Sequence, residues 1–373
     1  MHYDVVIIGA GPSGIAAGHN IINNNISCCI IDKQGFPRNK LCAGGVTQKT
    51  FELLKSLNLG KEFEGKNTII SKGVSIYLEN KHITDIDCKG NTYLVDRFEF
   101  DEYLVRAYEE KGGSLLENTK IKDIDIEKRI ITLADGQNIT FKYLIGADGA
   151  VGVTRSLVDR DREIKANGFC LQVDVDRNKF EYKSDNMSMY YGVLPYGYGW
   201  IFPKKNHLSV GFIGEYDKKI DYKSEFEKFL SNVGVSCDRS EFKGAFIPFG
   251  QYLNKPMNKD KNLLLVGDAA GFVDPITGEG IYFAVLSGIK ASSAIIKAIN
   301  TDNINFIDEY NYEIYNITKS INKGSKLKKV IYNYKKTIFN SMKNKKIGNF
   351  MFNDCVYNSN YNILQTLNTK GRL

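Results

Sequence analysis

The chain has 373 residues, 43% hydrophobic and 25% charged, which is enough apolar material for two buried cores and excludes a disordered polypeptide. Its seven cysteines, an odd number without a Cys-x-x-Cys pair, exclude a disulfide framework and a zinc ribbon, so no metal is expected and a reducing cytoplasm is the expected home. The net charge of +7 is uneven: residues 314–353 hold ten lysines and no acid, so the remainder is net acidic.

The chain opens on an apolar strand, Tyr3 to Ile8, that runs into Gly9-Ala10-Gly11-Pro12-Ser13-Gly14 and then into a helical stretch from Ile15 to Asn24. Gly9 permits a tight turn, Gly11 lets backbone approach phosphate oxygens, and Gly14 lets the helix pack close to the strand. Free N–H groups and the positive dipole end of that helix favour a pyrophosphate. A second apolar strand, Ser27 to Ile31, ends in Asp32, where a carboxylate can accept ribose hydroxyls. Together these features predict a dinucleotide site without deciding which dinucleotide. An opening so near the first residue leaves no room for a secretory leader, and no later run is expected to supply the ~20 apolar residues of a membrane span. The chain is therefore expected to be soluble or peripheral.

After a glycine-bearing loop (Gly35 to Thr47), the pattern predicts a helix over Gln48 to Leu57, strands over Thr68 to Leu78 and His82 to Asp87, and a helix over Arg97 to Lys111. Ser114 to Leu116 reads as a strand, Ile121 to Ile126 with Arg129 to Leu133 as a hairpin, and Tyr143 to Ile145 as a strand ending at Gly146-Ala147-Asp148-Gly149. From Asn167 to Phe249 the residues alternate in character, which predicts an antiparallel sheet. Asn262 to Asp268 returns as a wholly apolar strand of the parallel type, followed by a long helix over Gly280 to Ile299. The first domain is thus discontinuous: residues 1–67, 93–160 and 261–305, with 68–92 and 161–260 forming a second domain and 306–373 a helical, lysine-rich end.

In that end, Tyr332, Tyr334, Ile338, Phe339, Ile347, Phe350, Met351 and Phe352 interleave with the lysines. Two readings stand side by side. The segment is a helix on anionic lipid, where each lysine contributes ~1 kcal/mol, or it is a solvated lysine face on helices that cover the core. Nucleic acid is not the expected partner.

Four motifs follow one another in order: the Gly9/Gly11/Gly14 turn with Asp32, Arg97 opening its helix, Gly146-Ala147-Asp148-Gly149, and Leu265-Val266-Gly267-Asp268-Ala269-Ala270-Gly271. They resemble the fingerprints of FAD-dependent enzymes of the para-hydroxybenzoate hydroxylase type. The resemblance implies an α/β fold, with a discontinuous Rossmann-like FAD domain, a second antiparallel-sheet substrate domain and a helical C-terminus. It implies that Ser13, Asp32 and the backbone at Ile121 hold the adenosine half of FAD. Arg97 and Asp148 would lie along the cofactor, Gly267 and Asp268 at its pyrophosphate or ribityl chain, and Gly278, Gly280 and Ile281 beside the flavin ring. Physical chemistry agrees at the last of these, because Pro275 to Gly280 precede a helix whose N–H groups can face flavin N1 and O2. Taken alone, Asp148-Gly149 is a plain turn, and Gly267-Asp268 reads equally as a helix cap.

Two further stretches narrow the resemblance. Phe36-Pro37-Arg38-Asn39-Lys40-Leu41-Cys42-Ala43-Gly44-Gly45 resembles the Pro-x-x-Lys-x-Cys-Gly-Gly-Gly loop of the geranylgeranyl reductase family, with Ala43 in place of the first glycine. Pro195 to Pro203 fits that family's Pro-x-x-Tyr-x-Trp-x-Phe-Pro element. The family resemblance implies saturation of isolated C=C bonds in isoprenoid chains by hydride leaving flavin N5. Cys42, Ala43 and Gly45 would then lie near the flavin, and Cys42, Tyr198, Trp200, Phe202 and Pro203 would line the substrate pocket. As a strand, Tyr198, Trp200 and Phe202 share one face, either a tunnel wall or an aromatic core stripe. No residue is assigned as the acid; Tyr198 and an ordered water are candidates. The expected substrate is a prenyl lipid or prenyl diphosphate. With no second glycine-rich turn, the electron donor is NADPH at a transient site, a ferredoxin or a quinol. The competing readings are a flavin monooxygenase or halogenase on the same fold, though Tyr198 and Phe202 depart from the halogenase Trp-x-Trp-x-Ile-Pro, and a peripheral flavoprotein that passes electrons to a quinone. The expected location is cytoplasmic, with a peripheral place on the inner face of the cell membrane as the alternative.

Overall fold

The computed structural model describes residues 1–60, 68–158, 166–180, 182–357 and 361, the side chains of 354–356 excepted. The parts of the expected domain spans that fall at 61–67, 159–165, 181, 358–360 and 362–373 lie outside the described residues.

Apolar runs buried on both faces build the first sheet. Val5, Val6 and Ile7 are fully buried, as a strand with helices on both sides requires. His2–Ile8 lies between Cys28–Ile31 and Asn138–Gly146, parallel to both. Ser114–Leu116 adds in parallel beyond Cys28–Ile31, and Leu263–Leu265 beyond Asn138–Gly146. Five strands distant in sequence thus meet in parallel in one sheet, with the hairpin Ile121–Asp125 and Ile130–Leu133 attached to Asn138–Gly146. The helix Pro12–Ile22 packs against the 21-residue helix Ile281–Thr301 so closely that a Cβ on Gly288 would stand 2.3 Å from the Ser13 carbonyl. By length and composition this long helix could cross a membrane, contrary to the expectation that no run would qualify. Its apolarity is accounted for by packing, since residues such as Val285, Ala291 and Ile295 are fully buried in the first core.

The second sheet has eight strands in the order Lys243–Ile247, Gly168–Asp176, His207–Glu215, Gly197–Pro203, Met187–Leu194, Ile69–Leu78, Lys81–Leu94 and Gly45–Thr47. It departs from the expectation at one seam, where Met187–Leu194 runs parallel to Ile69–Leu78. The strand expected over His82 to Asp87 continues to Leu94, through a Lys89-Gly90-Asn91 stretch that looks like a turn. Pairing holds it extended on both sides, Leu94 with Ile69 and with Gly45. Residues 45–47 and 93–94, expected in the first domain, therefore belong to the second sheet.

The lysine-rich end folds as the helices Ile307–Glu313, Tyr315–Asn333, Lys335–Met342 and Lys345–Phe350 and a π-helical turn, Met351–Tyr357. Phe339, Met342 and Phe352 are buried with Val74, Ile76, Met187 and Tyr191 in a second core, so these helices cover one face of the second sheet. Three lysines bind that sheet: Lys335 to Glu79 at 2.9 Å, Lys345 to Asp87 at 3.0 Å and the buried Lys328 to Glu215 at 2.5 Å. Part of the charge run is therefore structural.

Candidate functional site

At the opening turn the three glycines have different reasons to be glycine. Gly9 has φ +104°, and a Cβ there would meet the Ala147 carbonyl oxygen at 2.3 Å. A Cβ on Gly14 would lie 1.9 Å from the Gly9 oxygen. A Cβ on Gly11 would meet nothing within 4 Å. Protein packing explains the first two, whereas Gly11 borders open space at a helix N-terminus without a side-chain cap or a first-turn acid. That cradle suits an anion.

Asp32 stands beside the cradle, its carboxylate held by the N–H groups of Ala10 (2.8 Å) and Gln34 (2.9 Å). Thr119 donates its N–H to the Asp32 carbonyl, which brings the backbone leading to Ile121 alongside. Arg38, not singled out in the sequence, is 8% exposed; its Nη1 stands 3.4 Å from the Asp101 carboxylate in an ion pair too long to serve as a good hydrogen bond, and its Nε has no hydrogen-bond partner. Burial lowers its pKa, with Asp101 and Asp32 opposing. A buried guanidinium that keeps an uncommitted N–H group, and that feels the charge of Asp32 beside the Gly11 turn, fits the pyrophosphate of a dinucleotide. Only its tertiary neighbours mark Arg38, so nothing local in the sequence singles it out.

Gly267, with φ +57°, joins the turn to the long helix: a Cβ there would touch both Ser13 and Ala284. The Asp268 carboxylate lies near Gly280, the N-cap of that helix, and no side chain caps the helix by hydrogen bond. Asp148 is held within its own turn. Both its oxygens accept from Thr154, at 2.9 Å from N–H and 2.6 Å from Oγ1, and burial raises its pKa. Its turn sets Arg155, also missed in the sequence, onto the carbonyls of Asp268 (2.5 Å) and Ala269 (2.9 Å). Arg97 is likewise committed, with two 2.7 Å bonds to Asp101. Burial opposes the Arg97 charge, but Asp101 and Cys42 outweigh it and raise the pKa.

Two loops carry the residues that the resemblance sets beside the flavin ring. In the first, Asp274 is fully buried and accepts from the N–H groups of Ile276 and Thr277 and from the Tyr361 hydroxyl. Gly278 turns at φ +69°, and Glu279 is bound by Thr47 (2.8 Å) and Lys49 (2.7 Å). In the second, Gly44 has φ +71° and donates its N–H to Cys42 Sγ at 3.3 Å. Ala43 has no positive φ, so the departure from the family glycine leaves this backbone unstrained. Gly45 fits against the Phe202 ring. The loop is fastened by Lys204, 4% exposed, whose Nζ donates to the carbonyls of Ala43 (2.6 Å), Gly44 (3.4 Å) and Val95 (2.9 Å). Burial lowers the Lys204 pKa to about 8.

Tyr198 and Trp200 are 6% and 4% exposed, Pro203 is buried and Phe202 half-buried. The aromatic stripe is core, packed with Met187, Met189 and Phe339 beneath the C-terminal helices. Its Tyr198 end meets the 274–280 loop, where the hydroxyl donates to the Thr277 carbonyl, and burial pushes its pKa well above the phenolic value.

The FAD binding domain family model matches residues 2–324. An uncharacterised protein of Methanosarcina barkeri is 34% identical over 308 residues, covering 80% of this chain and 76% of that one. A digeranylgeranylglycerophospholipid reductase of Methanocaldococcus jannaschii is 31% identical over 316 residues, covering 81% and 78%. Among solved structures, a geranylgeranyl bacteriochlorophyll reductase-like protein of Thermoplasma acidophilum superposes with a TM-score of 0.74 at 18% identity, over 99% of each chain. With its anion cradle, its buried Arg38 and these relatives, the chain belongs to the FAD binding domain family and, within it, to the geranylgeranyl reductases, as an FAD-dependent oxidoreductase.

Proposed function

We propose that this flavoprotein saturates C=C bonds in isoprenoid chains. The observation that carries the reading is the position of the second core. Leu41 and Ala43 of the Cys42 loop pack against it, and Tyr198, tied to the 274–280 loop, is part of it, so both flavin-side loops open onto one apolar interior. Bound FAD supplies the hydride. The chain's own residues exclude water, orient the alkene and, through the ring faces of Tyr198 and Trp200, soften positive charge that develops as the alkene takes a proton. Met187, Met189, Met342 and Met351 give that interior an unbranched lining that can repack around a flexible chain. A prenyl chain enters where the C-terminal helices lie on the sheet, and burial at ~0.8 kcal/mol per CH₂ is the term that opens that seam.

The test is mass spectrometry of prenyl lipids incubated without oxygen with chemically reduced protein. Two added hydrogens per double bond are the expected result. Unchanged lipids, with oxygen consumption on an aromatic substrate or rapid quinone reduction instead, would overturn the reading.

The proposal includes a peripheral place on the inner membrane face. Its support is the exposure of Lys319, Lys326, Lys329, Lys336 and Lys343 beside exposed Val330 and Tyr334. Lysines near an anionic surface contribute about 1 kcal/mol each. Exchanging Lys326, Lys329 and Lys336 for Glu is expected to abolish cosedimentation with phosphatidylserine vesicles at low salt and leave FAD content unchanged. Binding to neutral vesicles as strong as to anionic ones would remove this part.

A further inference from the structure

We propose that the Lys49–Glu279 ion pair sets how readily the bound flavin takes up electrons, with Glu279 fixing the gap between the two loops that flank the ring and Lys49 balancing its charge there. The inference goes beyond the prenyl reductase reading, because it holds whatever the electrons are then passed to.

Glu279 stands in the turn that the family resemblance sets beside the flavin ring, yet its side chain leaves that turn. Its backbone is pinned at both ends: the N–H donates to Thr277 Oγ1 at 3.1 Å, and the carbonyl accepts from the Asp274 N–H at 3.0 Å. The carboxylate then crosses to the stretch that follows the Cys42 loop. One oxygen accepts from Thr47 Oγ1 at 2.8 Å and the other meets Lys49 Nζ at 2.7 Å. Thr47 ends the strand Gly45–Thr47, and Lys49 lies in the first turn of the helix Gln48–Ser56. One side chain therefore ties the 274–280 loop to the end of the Cys42 loop, and widening the slot between them breaks both contacts.

The place of Lys49 is unfavourable on its own. Its ammonium lies 4.2 Å from the Tyr282 ring centroid and 6.0 Å from that of Phe283, both in the first turn of Ile281–Thr301. A cation thus sits at the positive ends of two helices, neither of which has a side-chain cap or a first-turn acid. The ring faces and Glu279 offset this. The side chains of Lys49 and Glu279 are 19% and 11% exposed, so solvent and salt screen the pair little. Exchanging such a pair for apolar groups is often neutral for folding, which leaves stability a poor account of it.

Electrostatics supplies a better one. Three carboxylates gather at this turn: Asp268 beside Gly280, the buried Asp274, and Glu279. Reduction brings two electrons and one proton to FAD, and the negative charge that remains over N1 and O2 is tuned by fixed charge nearby. A carboxylate resists that uptake and an ammonium favours it. Lys49 cancels Glu279, so the N–H groups of the helix N-terminus keep their effect on the ring.

The test is the reduction potential of FAD-loaded protein, measured by equilibrium with a dye of known potential and without lipid. Lys49→Met removes the positive charge and is expected to shift the flavin about tenfold toward the oxidised form at a fixed potential, a fall of ~30 mV for a two-electron couple. Glu279→Gln removes the negative charge and keeps the shape, so a rise of similar size is expected. The double variant returns near the original value, and Lys49→Arg keeps it. Thr47→Val breaks one contact without removing charge and moves the potential far less than either single exchange. A merely structural pair would shift Lys49→Met and Glu279→Gln in the same direction, or weaken FAD binding with the potential unmoved; either result overturns the assignment. Should Glu279→Gln fail to retain FAD, Lys49→Met against Lys49→Arg decides it. Prenyl lipids saturated by a protein whose potential ignores Lys49 defeat this inference and spare the reductase; opposite shifts in a protein that saturates no lipid do the reverse.

Discussion

Gly11→Ala is expected to leave the apoprotein as stable as the unaltered chain and to raise the dissociation constant for FAD by about 100-fold, roughly 3 kcal/mol. The two outcomes separate because a Cβ at Gly11 meets no protein atom, and its backbone is extended at φ −75°, ψ 178°, open to any residue. The added methyl occupies only the space in which phosphate oxygens approach the helix N-terminus. Gly14→Ala is expected to do the reverse in order of cause. Its Cβ would stand 1.9 Å from the Gly9 oxygen, so strand and helix must part and the apoprotein itself loses several kcal/mol. Urea unfolding of both apoproteins, with titration of FAD fluorescence, separates the cases. Added FAD stabilises the unaltered chain by mass action and should do so far less in Gly11→Ala. A Gly11→Ala protein that binds FAD as tightly as the unaltered chain would remove the cradle from the cofactor site.

What the sequence disclosed and what it hid divide along one physical line. The Gly9-to-Gly14 turn, Asp32 and the Gly278 to Gly280 approach are legible because local backbone geometry demands particular residues at fixed spacing. Arg38, Arg155 and Lys204 are as deeply involved, but each acts through neighbours more than fifty residues away, and a basic residue in a loop looks like solvent-facing charge. The same holds for Gly45–Thr47, three residues too short to show alternation, which become a strand because Leu94, Tyr93 and Thr92 pair with them. The aromatic stripe is an intermediate case. Period two places Tyr198, Trp200 and Phe202 on one face, but only the tertiary structure shows that Phe339 and Met342 cover that face. In the C-terminal helices the buried Ile317, Ile321 and Phe339 are too few among lysines to reveal a packed surface.

Lys204 joins this packing to the chemistry. A fully desolvated ammonium with carbonyl oxygens as its partners holds the Cys42–Gly45 loop, which the family resemblance sets near the flavin, to Val95. Burial lowers its pKa from 10.5 to about 8, whereas the unfolded chain keeps the ordinary value. Between those two values the unfolded state binds more protons than the folded one, so stability rises with pH across that window, by up to roughly 3 kcal/mol. Turnover is expected to move the other way. As the ammonium loses its charge above pH about 8, its bonds to the loop weaken and the loop drifts from its place beside the flavin, so the rate falls on the alkaline side while the protein becomes harder to unfold. Lys204→Met is expected to abolish both slopes. Its overall stability changes little, since removing a buried charge offsets the carbonyls left without donors, while turnover drops about tenfold or more from loss of near-attack geometry. Lys204→Arg keeps the charge to higher pH and should move the alkaline limb upward. The measurements are rate and urea stability between pH 7 and pH 10. An alkaline limb unchanged in Lys204→Met would assign that titration to another group and leave Lys204 as a packing residue only.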